Sequence, residues 1–168
     1  MLRQPLPAAG WVLDLQGNTG GSIVPMLTAI GPLLGAGRWL CYQRRDGRRL
    51  TYQYTAGELR EDNHLLLAVP RPPEDTPHLP VAVLVNSRTA SAAEGVLAFR
   101  GRVLTRCFGE STAGVPTGNV GHRLGDGSLL MITTSVAVDR TGRSYATALV
   151  PDEDKGLAAA HTWVSAVL

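Results

Sequence analysis

Val81-Ala82-Val83-Leu84-Val85-Asn86-Ser87-Arg88-Thr89-Ala90-Ser91-Ala92-Ala93-Glu94 is an apolar run that passes through a short polar turn into a helix-like stretch. Five apolar residues bounded by turn signals read as a buried strand, and the residues from about Ala92 to Phe99 read as a helix. Ser91 therefore stands at a strand-to-helix junction, beside backbone amides that have no partner within the helix. Two readings of its hydroxyl fit this position. It caps the helix, with Glu94 three residues on completing a capping box, or it is a nucleophile whose neighbouring amides donate to a developing oxyanion.

Working outward, Trp11-Val12-Leu13-Asp14-Leu15 reads as a second buried strand, closed by Gln16-Gly17-Asn18-Thr19-Gly20-Gly21 and followed by apolar residues at helical spacing from Ile23 to Leu34. Two strands then flank Asp46-Gly47, a dipeptide that favours a hairpin turn. Leu65 to Val69 is a further short strand, and Pro70 to Pro80, with five prolines, is an extended connection. Val103-Leu104-Thr105 opens another strand that runs into Phe108 to Gly114, a loop of small residues. Leu129 to Val138 is β-prone and follows the turn residues Gly125-Asp126-Gly127. Pro151-Asp152 closes the last strand, and Leu157 to Leu168 carries apolar residues at helical spacing. Strands alternating with helices predict an α/β fold: a mostly parallel sheet with flanking helices and antiparallel hairpins, in one domain over residues 1–168.

Composition narrows the partners. Sixteen basic and fourteen acidic residues leave a net charge of +2, and the arginines are scattered, which does not indicate nucleic acid or an anionic membrane. The densest basic cluster, Arg44-Arg45-Asp46-Gly47-Arg48-Arg49, reads as a solvated hairpin tip. Cys41 and Cys107 lack metal-ligand spacing and read as free thiols, so neither a metal nor another cofactor is expected. No apolar stretch reaches the ~18 residues of a membrane span, and Met1 to Pro7 lacks the apolar segment of a signal peptide.

In a parallel sheet, sites form at the carboxyl ends of the strands, where both the Gly20-Gly21 loop and the Ser91 turn fall. Tandem glycines allow close backbone approach and would turn amides toward a shared cleft. A phosphate loop is disfavoured, because no Gly-Lys-Ser/Thr follows.

Four blocks now stand in order: Leu13 to Gly21, Thr89-Ala90-Ser91-Ala92-Ala93-Glu94, Gly109-Glu110-Ser111-Thr112-Ala113-Gly114, and Pro151-Asp152. In order and spacing they resemble the S41 peptidases, the family of tail-specific and C-terminal processing proteases, and most nearly its tricorn-like and nisin-resistance-type branches. The resemblance runs from about Gly10 to about Pro151. It implies a crotonase- or ClpP-like catalytic domain, Ser91 as the nucleophile, and an oxyanion hole built from the Ala92 amide and that of Gly20 or Gly21. It also implies a peptide or protein substrate. Relatives often work outside the cytoplasm, and the compartment of this chain stays open.

Several positions depart from the family pattern. Gln16 stands where members usually carry Arg. Val115 occupies the place of the processing proteases' general-base Lys, and the sole lysine, Lys155, lies far along the chain. Tyr145 replaces a Glu of the tricorn-like branch. The remaining route, a Ser–His dyad, takes its His from a segment before the first glycine loop, and none of the ten residues before Trp11 is a histidine. His64, His78 and His161 read as surface or packing residues; His122 is the surrogate base the sequence offers.

General-base assistance is worth about 10²–10⁴-fold, and an oxyanion hole without its base retains only ~10³–10⁴ over water. The expectation is a serine peptidase domain, weak or inactive alone, whose base comes from an absent N-terminal segment or a partner chain. The competing expectation is a non-catalytic module that binds a peptide or an apolar ligand, as in an eye retinoid-binding protein whose repeats resemble S41 domains. A crotonase-like acyl-CoA enzyme is a third, disfavoured by the Ser91 turn. Leu129 to Val138 and the last helix are apolar enough to pair copies of the chain.

Overall fold

The computed structural model describes residues 9–70 and 75–167, so the reading of Met1 to Pro7 and part of that of Pro70 to Pro80 lie outside the described residues. Chain order is β1 (Trp11–Asp14), α1 (Ile23–Leu34), β2 (Gly37–Arg44), β3 (Arg49–Thr55), β4 (Glu58–Glu61), β5 (His64–Ala68), β6 (Val81–Val85), a 3-10 helix (Ser91–Phe99), β7 (Thr105–Gly109), β8 (Thr117–Arg123), β9 (Leu129–Asp139), β10 (Ser144–Tyr145) and α2 (Leu157–Ala166).

Strand β6 is buried along its whole length and sits between β1 and β7 in a three-stranded parallel sheet. Its side chains alternate. Val81, Val83 and Val85 enter the main core with Leu27, Trp39, Tyr54 and Phe99, whereas Ala82 and Leu84 pack with Phe108, Ala160 and Val164 beneath α2. Burial on both faces explains the unbroken apolar run.

The larger sheet corrects the expectation of a mostly parallel architecture. It is antiparallel, with seven strands: β10-β9-β2-β3-β4-β5 in order, and β8 also paired with β9. The cause is local. Asp46-Gly47, Ala56-Gly57, Asp62-Asn63 and Gly125-Asp126-Gly127 join successive strands through short turns, and such turns can connect only antiparallel neighbours. Ala56 and Gly57 both take positive φ, 48° and 88°, as a type I′ turn requires. β4 has no counterpart in the sequence reading, where charged residues break the periodicity; β8 carries His122, which that reading places on a β segment.

β9 is long enough to belong to two environments. Its residues Ser135–Asp139 pair with β2, while Leu129–Val136 pair with β8 on the other edge. The β8–β9 hairpin therefore projects past the end of β2, leaving Leu129, Leu130, Met131 and Ile132 exposed. No helix among the described residues is long and apolar enough to cross a membrane.

Candidate active site

The helix expected from Ala92 begins at Ser91 and is of the 3-10 type. Three residues per turn place Glu94 directly below Ser91 on the helix surface. The Ser91 amide donates to Glu94 Oε2 at 2.9 Å, which is half of a capping box. The other half is missing. Ala90, not Ser91, flanks the helix, and no side chain caps its first turn. Ser91 instead has φ +55°, a left-handed conformation costly for a residue with a Cβ. Ser91 lines a cleft of about 440 Å³.

Glu94 is fully buried and accepts three more bonds, from Thr112 Oγ1 at 2.5 Å, the Gly114 amide at 3.0 Å and the Val115 amide at 2.9 Å. It fastens the third block to the Ser91 turn. Thr89 works from the other side. Its buried hydroxyl donates to the Leu15 carbonyl at 2.8 Å and accepts from the Asn86 amide at 3.0 Å, and its own carbonyl accepts from the Ala113 amide at 2.9 Å. The Ala90 amide donates to the Asn18 carbonyl at 3.0 Å, so the glycine loop is bound to the same turn.

The two glycines have distinct surroundings. A Cβ on Gly20 would lie 2.7 Å from the Ala90 carbonyl oxygen and 2.8 Å from Ser91 Cβ, so only glycine permits this approach. The Gly20 amide is engaged with Asn18 Oδ1 at 3.0 Å. Gly21 faces open space and lines the cleft together with Ser91 and Ala92. The blocks far apart in sequence thus meet at the carboxyl ends of β1, β6 and β7. Pro151-Asp152 stays outside the cleft: Asp152 exchanges bonds with the Cys107 backbone and extends the β7 edge.

The profile of peptidase family S41 matches residues 2–154. This chain belongs to peptidase family S41. It is 30% identical over 137 residues to a nisin-resistance protein of Lactococcus lactis subsp. lactis, a match covering 81% of this chain and 42% of that protein. A lipoprotein of Streptococcus agalactiae superposes with a TM-score of 0.80 at 30% identity, over 95% of this chain and 55% of that one. A photosystem II D1 C-terminal processing protease gives a TM-score of 0.62 at 25% identity, over 87% of this chain and 34% of that one. The S41 chain thus spans about half, or less, of the length of these relatives.

Across from the Ser91 turn, the wall of the S41 cleft is formed by the antiparallel sheet: Tyr42 and Arg44 of β2, Leu50 and Tyr52 of β3, Thr117 to Val120 of β8, and Met131, Thr134 and Ser135 of β9. The sequence reading overlooked this wall. Period-two alternation through Leu40, Tyr42 and Arg44 marks a common face, but nothing local says that the face looks at Ser91. Among the described residues lining the cleft there is no histidine, lysine or carboxylate. Burial, and then the nearby Glu94 carboxylate, push the Tyr42 hydroxyl up to about 12. Burial and Glu61 push Tyr52 up as well. Both phenols are protonated at neutral pH and serve as donors. His64, His78, His122 and His161 are all exposed, and none lines the cleft; His122 lies on β8 opposite Leu130. No cluster of three or more metal-ligating side chains forms among the described residues.

Proposed function

We propose that the chain is the nucleophile-bearing part of a serine peptidase, in which Ser91 Oγ attacks a peptide carbonyl and the Gly21 and Ala92 amides hold the resulting oxyanion. The observation that carries this reading is the positive-φ Ser91, which lines the cleft while its amide is anchored to buried Glu94. Ala92, in the first helical turn, has an amide without an intrahelical acceptor. Gly20 supplies the close approach, and Gly21, one residue on, supplies the second amide. Preorganised amides of this kind are worth about 10²–10³ in rate each.

Attack forms the Oγ–C bond and moves the serine proton to a general base. The base returns that proton to the leaving amine as the C–N bond breaks, and water then hydrolyses the acyl-enzyme. The base comes from a segment or partner other than the cleft-lining residues. His122, on the same hairpin as Asn119 and Val120, is the alternative within the chain.

A fluorophosphonate probe tests this assignment. Labelling of the isolated chain is expected to be slow, to quicken when imidazole is added as a free base, and to vanish in Ser91→Ala. Fast labelling that falls in His122→Ala would place the base within the chain. Labelling indifferent to Ser91→Ala would overturn the nucleophile itself. The aromatic and apolar lining also suits a module that binds a peptide without cleaving it; such a module would stay unlabelled with or without imidazole.

A further inference from the structure

Opposite Ser91, three cleft residues stand in one cross-strand row. Arg44 of β2 pairs with Ser135 of β9, and Ser135 pairs with Gly118 of β8. A Cβ on Gly118 would collide with Ser135 Oγ, so the absent side chain leaves the serine hydroxyl its place in the row. Ser135 is only 9% exposed and lines the cleft. Arg44 is the one charged side chain among the described cleft residues. Two of the other arginines at the hairpin tip are engaged elsewhere: Arg48 with Asp46 at 3.7 Å, and Arg49 with Gln43 Oε1 at 2.8 and 3.1 Å. The Arg44 guanidinium meets no carboxylate among the described residues.

The wall thus offers a cation and a hydroxyl as donors, with Tyr42, Leu50 and Tyr52 around them and no carboxylate among the described residues lining the cleft; Glu61 engages the Tyr52 hydroxyl and Glu94 lies near Tyr42 without lining it. Arg44 is itself exposed, so solvent screens a pairing made there, and the Tyr42 and Leu50 side chains beside it add apolar contact. A guanidinium is a planar fork of donors, and its geometric complement is a carboxylate. A single positive charge also matches a monoanion better than the dianion of a phosphate group.

We infer that Arg44 and Ser135 form a carboxylate subsite, which selects peptides bearing an acidic side chain or a free C-terminal carboxylate near the bond presented to Ser91. This rests on the peptidase reading of the cleft given above.

Binding to the full chain carrying Ser91→Ala, which prevents turnover, tests it by fluorescence anisotropy. Three fluorescein-labelled hexapeptides differ only in charge: one has an internal Glu and an amidated C-terminus, one has Gln and a free C-terminal acid, and one has Gln and an amidated C-terminus. At least one carboxylate peptide is expected to bind about tenfold or more tighter than the neutral one, the scale of a charge-assisted pair. Which of the two does so identifies the source of the carboxylate. Adding Arg44→Gln should shrink the preference below about threefold, and Arg44→Lys should retain part of it, since charge survives while the fork is lost. Ser135→Ala should weaken it less than Arg44→Gln. Equal affinities for all three peptides, or a preference that survives Arg44→Gln, would overturn the subsite and leave the peptidase reading standing. If none of the peptides binds saturably, both fall.

Discussion

Two buried carboxylates, Glu94 and Asp139, each accept four hydrogen bonds, yet they organise their surroundings differently. The partners of Glu94 are its own helix start at Ser91 and, 18 to 21 residues away, Thr112, Gly114 and Val115. The partners of Asp139 lie within six residues: the amide and hydroxyl of Thr141, the Arg143 amide and the Tyr145 hydroxyl. One carboxylate closes a long loop and joins two segments of the cleft, while the other shapes the β9–β10 turn at the end of β9 remote from it. The number of bonds alone does not reveal what a buried charge is for. Their span along the chain does.

The largest effect that would sharpen this contrast is expected from Glu94→Ala. Buried donors from three backbone amides and a hydroxyl would lose their acceptor, lowering stability by about 3–4 kcal/mol in chemical denaturation. Ser91 labelling should be lost even where the variant remains folded, because the turn is no longer held. If labelling survives, Glu94 does not position the serine and the contrast fails.

Asp139→Asn should cost less, about 1–2 kcal/mol, and leave Ser91 labelling intact. It should also alter the acid limb of the stability curve. Burial acts to raise the Asp139 pKa, but the bonds from Thr141, Tyr145 and Arg143 outweigh it and hold the carboxyl below its ordinary value of 3.8. A depressed folded pKa gives stability that is present above the ordinary value and disappears as pH falls through the lower one. Between about pH 4 and pH 2 the Asn variant should therefore lose less stability than the parent. Matching acid limbs would show that Asp139 is not held ionised.

The smallest effect is expected from Tyr145→Phe, which removes a single bond of 2.8 Å to Asp139 and should cost about 1 kcal/mol. Tyr145 occupies the place where the tricorn-like pattern has a Glu, and in this fold its hydroxyl faces Asp139. An unchanged rate of Ser91 labelling in Tyr145→Phe would agree with a local structural role; a large change would join the two regions.

The parallel core was readable because its signals are local. An unbroken apolar run such as Val81–Val85 means burial on both faces, and glycine and proline mark where the run stops. The Ser91 turn was readable for the same reason, down to the spacing of Glu94. The antiparallel sheet was underestimated although the turn residues were in view, because alternation reports a face and not its neighbour. Arg44 shows the consequence. By sequence it belongs to a solvated hairpin tip; in the fold it is exposed there, as expected, and also lines the cleft.

By itself the sequence determined the family, the strand-to-helix position of Ser91 and the tandem glycines, since these depend on residue type and spacing along a few turns of chain. Only the tertiary structure decided that Glu94 binds two distant segments, that the Gly20 amide is taken by Asn18, and that Tyr42, Arg44 and Ser135 face the serine. Those facts arise from hydrogen bonds and packing between strands remote in sequence, and no local pattern encodes which remote partner a buried group will find.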